Sequence, residues 1–373
     1  MKNSLTFFIL LSALFTACNK GNSSNGNDQP GTTVDTTKIF TLVSYNYNNG
    51  HIEDSIIKTL TTTEKDGFKK YILTEIYSDS PGDSDFTIYK LNAQNQLIEV
   101  FYYGSPDPSD NEKDTYVWQG DNLSQIQNDS SGVIQHSYNF NYNNVGANTR
   151  ITFTEQPQKN NDTFFNGGNV QYFDQFKTAL IVSSSDFKPL NIESEAYFYI
   201  RNDPSKPPTV GWDTIITKFA LSATGDLQQK ISISSRSDTN SNSNIGEIHR
   251  YNDSLIYNYT RENFLNDSFS IVLQNIYGKK LFILSNYFYN EFLSNDLLPE
   301  GYDENFFSNV PLKKSTSNEY KWEDGIPGDL NGQMNEESDY QNTYDNKNRL
   351  IMSVKLDGTP QRQPESGFRI IWP

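Results

Sequence analysis

Across 373 residues the chain has a single cysteine, Cys18, and only three histidines. A fold stapled by disulfides needs paired thiols, so that architecture is excluded. His51, His136 and His249 fall in unrelated segments. Neither a Ser-His-Asp triad nor a His-based metal site is therefore written into local spacing. The G-x-S-x-G elbow, H-E-x-x-H, the Walker loop and G-x-G-x-x-G are all missing. Positive charge is scarce as well: 30 Lys and Arg face 46 Asp and Glu, for a net charge of −16. Nucleic acid and anionic lipid are repelled by such a surface, so neither is expected as a partner. What is plentiful is aromatic character, with 23 Tyr and 24 Phe, and a packed structure has to absorb it.

The N-terminus has one early cation, Lys2, then an apolar run over residues 5–15 broken by Thr6 and Ser12, and small residues Thr16 and Ala17 before Cys18. The run is too short to cross a bilayer as a permanent helix and reads as an export signal over residues 1–17. "LFTAC" resembles the lipobox of bacterial lipoproteins, although Phe15 stands where Leu is commoner. The resemblance implies cleavage before Cys18 and acylation of its sulfur and amine. Each buried methylene contributes about 0.8 kcal/mol, so two or more chains hold firmly where one binds marginally. Residues 18–38 are nearly free of large apolar groups and read as the lipidated cysteine and its flexible tether, with a reach of roughly 25 Å. Lipoproteins displayed on the surface of Bacteroidetes often carry an acidic cluster after the cysteine, whereas only Asp28 is acidic here. Periplasmic and surface-exposed sides of the outer membrane both stay open.

Beyond the tether, apolar and polar residues alternate, as in "SYNYNN" (44–49), "FNYNN" (140–144), "ITFTE" (151–155) and "ISISS" (231–235). Period two predicts strands with one buried and one solvated face, in antiparallel pairs. Turn formers such as "QGDN" (119–122) and "ATGD" (223–226) divide the strands into hairpins. Four hairpins share a pattern: "IYKLNAQNQLIEV" (88–100), "YVWQGDNLSQI" (116–126), "KFALSATGDLQQKI" (218–231) and "NTYDNKNRLIMSV" (342–354). Such units bury their apolar faces only side by side, which predicts one all-β domain over residues 39–373, a large antiparallel meander forming a curled or barrel-like sheet. A short helical segment is expected near 286–298, ending before Pro299. The Pro-rich stretch 201–212 is expected as a long loop or a domain seam.

"YKLNAQNQL" and "TYDNKNRL" resemble the hairpins of YD-repeat and Rhs-type proteins. The chain is also similar to an uncharacterised family of Bacteroidetes lipoproteins with a porin-like, curled antiparallel sheet. In that family a Ser-Asn-x-Pro turn precedes a Tyr-rich hairpin, and "SNVPLKKST" (308–316) before "YQNTYDNKNRLIMSV" (340–354) follows the same order. None of these motifs is catalytic, so the resemblance implies a fold and a setting without a reaction.

Oxygen-rich loops are the remaining chemical feature. Asp329, Asn331 and Asp339 in "GDLNGQMNEESD" are weak calcium candidates, because Gln333 and Met334 interrupt the loop pattern and Tyr340 stands where the last acidic ligand belongs. Of the tryptophans, Trp212 and Trp322 lie beside turn residues and are the candidate stacking platforms for a ligand. No catalytic residue and no cofactor is expected. The leading expectation is a lipid-anchored cell-envelope protein with a non-catalytic binding or structural role, its partner a glycan or another envelope protein. A polysaccharide-directed hydrolase and a membrane-embedded β-barrel component are the alternatives.

Overall fold

A computed structural model describes residues 36–48, 51–65, 67–78, 80, 84–103, 111–156, 164–166, 169–201, 209–222, 226–239, 248–261, 268–287, 312–323, 326–327, 334–356 and 363–373. The first half of the folded unit holds β1 (Thr37–Asn48), β2 (His51–Lys65), β3 (Phe68–Tyr77), β4 (Ser84–Leu91), β5 (Leu97–Tyr103), β6 (Glu112–Gln119), β7 (Asn122–Ser130), β8 (Val133–Val145), β9 (Asn148–Gln156) and β10 (Phe164–Asn166). There follow β11 (Asn169–Ser183), β12 (Pro189–Arg201), β13 (Thr209–Leu221), β14 (Leu227–Thr239) and β15 (Ile248–Arg261). After two helices, α1 (Ser268–Tyr277) and α2 (Lys279–Tyr287), come β16 (Leu312–Glu323), β17 (Ile326–Pro327), β18 (Met334–Tyr344), β19 (Leu350–Leu356) and β20 (Pro364–Ile371).

Each long strand pairs antiparallel with the next, while the short β10 and β17 hang on their neighbours: β9 pairs directly with β11, and β16 with β18. β20 then pairs with β1, through Thr41 opposite Ile371 and Tyr45 opposite Gly367, and the result is a closed antiparallel barrel of 18 strands. The expected antiparallel meander is present, and closure settles the choice between an open curl and a barrel. Gly367 stands in the closing strand where a Cβ would lie 2.9 Å from the Ser353 carbonyl oxygen, so the backbones there approach too closely for any other residue. On either side of residues 202–208, which lie outside the described residues, β12 and β13 pair along their length, from Asn191 opposite Lys218 to Ile200 opposite Thr209.

The lumen is apolar toward one rim and filled there by the two helices. Phe269, Leu273 and Ile276 fall at i, i+4 and i+7 on α1, and with Leu281 and Leu284 of α2 they are fully buried. Phe269 meets Phe40 of β1 at 5.3 Å between ring centroids, and Tyr277 meets Tyr89 of β4 edge-on at 5.7 Å. Two cations fasten the plug to the turns of its rim: Lys279 Nζ donates to the Asp186 carbonyl at 2.8 Å, and Lys280 Nζ to Asn122 Oδ1 at 3.0 Å. Gly278, at φ 72°, breaks the chain between the helices, and its N–H donates to the Gln274 carbonyl at 2.8 Å. The helical segment thus begins at Ser268, well before the expected 286–298; only 286 and 287 coincide, and 288–298 lie outside the described residues. Continuous apolar triplets, Ile271 to Leu273 and Phe282 to Leu284, hide the helical period that reveals such a segment.

The four related hairpins all turn at the plug rim and share a construction. Each has a register shift beside the turn, at Lys90/Leu91, Val117/Trp118, Ala220/Leu221 and Thr343/Tyr344. After each turn comes a buried leucine, Leu97, Leu123, Leu227 or Leu350. Its carbonyl accepts a side-chain hydrogen bond from a strand further on: from Trp118 Nε1 at 2.7 Å, Tyr142 Oη at 2.9 Å, Arg261 Nε at 2.8 Å and Trp372 Nε1 at 3.0 Å, respectively. The bulge leaves that carbonyl outside the ladder, and the side chain satisfies it.

A candidate binding layer in the barrel lumen

Strand alternation and the plug together fix which side chains face inward. On β8, Phe140 is in the core with Tyr138 and Tyr142 packed against it, so Asn139, Asn141 and Asn143 face outward. On β2 and β3 the inward positions include Leu60 and Leu73, which stand opposite each other. Moving away from the plug, the same inward parity turns polar. Lys58 stands opposite Glu75, and their side chains form an ion pair at 3.4 Å with only 9 % of each exposed. Glu75 in turn stands opposite Asp85 of β4. The Tyr77 hydroxyl donates to Asp85 Oδ2 at 3.1 Å and lies 3.5 Å from Glu75 Oε2.

A second network lies two strands along. From Tyr89, which touches the plug, the register runs through Val100 and Asp114 to Asn128 and His136. Asp114 accepts from the Tyr102 hydroxyl at 3.0 Å and from Asn128 Nδ2 at 2.9 Å. Burial pushes the Asp114 carboxyl above the ordinary carboxylate range, the two hydrogen bonds oppose that rise, and the charge of Glu112 adds to it. Among the described residues no cation reaches Asp85 or Asp114 within 4 Å, whereas Lys58 is taken by Glu75. Ser44, facing inward on β1 two residues beyond Leu42, is buried and its Oγ has no partner.

The residues singled out from sequence do not converge on this layer. Cys18, Asp329 and Asn331 lie outside the described residues. Asp339 is in β18, opposite Lys314 on one side and Leu356 on the other. Trp212 is in β13 between Tyr197 and Ser237, with two strands between β13 and β16, which carries Trp322. Trp322 is half-buried on the outer face and stacks on Tyr320, with centroids 6.1 Å apart and planes 11° apart. Lys58 and Glu75 were missed because each sits at an apolar-parity position of an otherwise ordinary strand, whereas Asp85 and Asp114 end the acidic stretches "SDSPGDSDF" (78–86) and "PDPSDNEKD" (106–114), which read as oxygen-rich loops of the kind calcium prefers, and stand in β4 and β6. A charge on that parity is the sequence signal that marks them.

The outer face carries ion pairs. Lys90 meets Glu99 at 2.6 Å, Lys314 meets Glu337 at 2.6 Å, and Arg150 pairs with Glu193. Outward aromatics cluster nearer the rim opposite the plug, as the i, i+2 pairs Tyr45–Tyr47, Phe101–Tyr103 and Tyr320–Trp322. No helix among the described residues is long and apolar enough to cross a membrane.

No family model matches the chain, and no curated protein matches it. Among solved structures it is similar to a porin-like protein from Bacteroides vulgatus ATCC 8482, at 11 % identity and a TM-score of 0.30, over 90 % of this chain and 98 % of that one. A porin-like protein from Bacteroides uniformis ATCC 8492 aligns at 9 % identity and a TM-score of 0.23, over 91 % and 99 % of the two chains. A bacterial polysaccharide outer membrane secretin aligns at 6 % identity and a TM-score of 0.24, over 90 % and 98 %.

Proposed function

We propose that this chain is an outer-membrane-associated barrel, held by lipid on Cys18, that works by binding or by structural contact and has no catalytic role. The observation that carries this reading is the placement of polarity. The outer wall has ion pairs and the Asn row of β8, whereas hydrocarbon-like side chains and two helices fill the lumen at one rim. These pairs stand near the plug rim, where a Lys or Arg at a bilayer interface costs only about 0–1 kcal/mol, so the outward Asn row of β8, further along the wall, is the feature that suits water. The filled rim argues against a through-channel. A glycan or another envelope protein is the partner such a wall suits.

A second reading, a barrel embedded in the bilayer, is favoured by closure of the ring and by the outward Tyr, Phe and Trp pairs near one rim. Aromatic girdles of this kind sit at membrane interfaces. Labelled fatty acid and membrane fractionation separate the two readings. Under the first, wild-type protein incorporates the label and Cys18→Ala is released from membranes by alkaline carbonate. Retention of Cys18→Ala after that wash favours the embedded barrel.

A further inference from the structure

The outer wall concentrates apolar side chains on one sector. On the strands from β2 to β5 one outward row reads Thr61, Ile72, Ile88 and Phe101, and the next Thr59, Thr74, Phe86 and Tyr103. Ile57 and Ile76 stand opposite each other in the row after that. Across the join the sector continues: Thr41 Oγ1 lies 3.3 Å from Thr59 Oγ1, Tyr45 stands opposite Gly367, and Gly367 opposite Val354 of β19. Phe101 and Tyr103 stack with centroids 6.3 Å apart. Ile88 and Val354 are buried in this layer, while Met352 and Ile371 are exposed. The sector ends sharply: past Phe101 its row runs through Lys113 to Asp129, and past Val354 it meets Gln341. The isoleucines of β13 and β14 make no such layer, since Glu193 stands beside Ile216 and Lys218 beside Ile231. Within the apolar rows, and in the next toward the plug, the charged side chains among the described residues are Arg369, Lys70 and the Lys90–Glu99 pair. The acidic excess of the chain lies elsewhere.

We propose that this sector is the contact face for a second copy of the chain, the two barrels standing wall to wall about a two-fold axis parallel to their own. A bilayer fits it poorly, because the rows from Ile72 to Ile76 cover about 14 Å of strand against the roughly 25 Å apolar band of a spanning barrel. With strands about 4.8 Å apart from β19 through β20 and β1 to β5, the sector offers roughly 500 Å² per copy. Two such faces bury roughly 1,000 Å², the size at which specific contacts begin. At a net charge of −16, approach through the walls that carry Asp129 and Glu193 sets acid against acid, and this sector avoids that. The geometry also rests on the lipid-held reading above. Each chain enters its barrel through β1, inside the sector, so two copies held in one membrane plane present these faces at the same height. Confinement to that plane raises their effective concentration.

The test is cross-linking of the full chain in opened envelope vesicles by a flexible bis-maleimide. Thr74→Cys places a thiol in the sector, Asn141→Cys places one on the polar wall, and wild type, whose one cysteine is Cys18, is the blank. Thr74→Cys is expected to give an adduct of twice the chain mass, tenfold or more above Asn141→Cys. Adding Ile72→Lys to Thr74→Cys is expected to lower that yield several-fold. Should Ile72→Lys fail to fold, the comparison of Thr74→Cys with Asn141→Cys decides alone. A yield no higher than that of Asn141→Cys, or an adduct of another mass, overturns the inference. A membrane-impermeant maleimide then separates the failures. If Thr74→Cys reacts freely and forms no dimer, the wall is bare and the lipid-held reading stands; if it is protected until detergent is added, the sector lies in lipid and both fail.

Discussion

At the residue scale, the turns and the lumen make opposite electrostatic demands. Asp345 heads the turn between β18 and β19, where its Oδ1 accepts from the Lys347 and Arg349 N–H groups at 2.9 Å each, and its Oδ2 from Arg349 Nε at 2.7 Å. Desolvation pulls its carboxyl upward, but the hydrogen bonds from Arg349 and Lys347 together with the Arg349 charge outweigh it and hold the carboxyl below 3.8. A depressed folded value means that Asp345 supports the fold above 3.8 and loses that support as pH falls through the lower folded value. Asp345→Ala is therefore expected to lower Tm at pH 7, with the difference from wild type shrinking toward pH 2. Asp114 behaves in the reverse sense, because its folded value is raised. The fold favours its protonated form, so its contribution is best below 3.8 and declines as pH rises through the folded value. Urea midpoints at pH 4 and pH 7 test this: Asp114→Asn should lose less stability than wild type over that interval. The turn was legible in sequence, since "DNKN" announces itself by composition. The lumen carboxylates were not, because position on the wall, and not local pattern, gives them meaning.

Hairpins and helices differ in how openly the chain declares them. The hairpin family was visible as a repeated aromatic, leucine and polar-turn pattern, and its members share a bulge and a bonded leucine carbonyl. That carbonyl's partner, such as Trp372 for Leu350, lies 22 positions away, just past β20, so no short window contains the pair. The plug was harder to see. Its apolar triplets mimic strands, and the helical state is chosen by the space inside a closed ring, a tertiary effect that overrides local preference. Phe269 of α1 is fully buried and touches Phe40, which also meets Trp372 at 5.9 Å. Truncation in such a setting costs about 3–5 kcal/mol. Phe269→Ala should lower the denaturant midpoint accordingly, while far-ultraviolet circular dichroism keeps its strand signal because the ring's hydrogen bonds do not pass through the plug.

For the whole molecule, closure is the property that strand-by-strand reading anticipates only in outline. Alternation and turn spacing give antiparallel pairing, but the last strand meets the first only if twist and stagger bring β20 beside β1, and these are sums over the entire sheet. Gly367 shows how closely the strands approach near that join. Closure also turns each strand's alternation into an inside and an outside, and here the outside carries Asn, Thr, paired charges and aromatic pairs while the inside carries the plug and the charged layer beyond it. The setting depends on the outward wall, and the chain is suited to probing it, because Cys18, the proposed lipid site, is its one native cysteine. A single cysteine introduced by Asn141→Cys, on the exposed row of β8, can be reacted with a membrane-impermeant maleimide in opened envelope vesicles. Labelling is expected to be as fast as at a turn residue such as Lys347 replaced by cysteine, with no acceleration on adding detergent. Protection of Asn141→Cys until detergent is added would contradict it and place that wall in lipid.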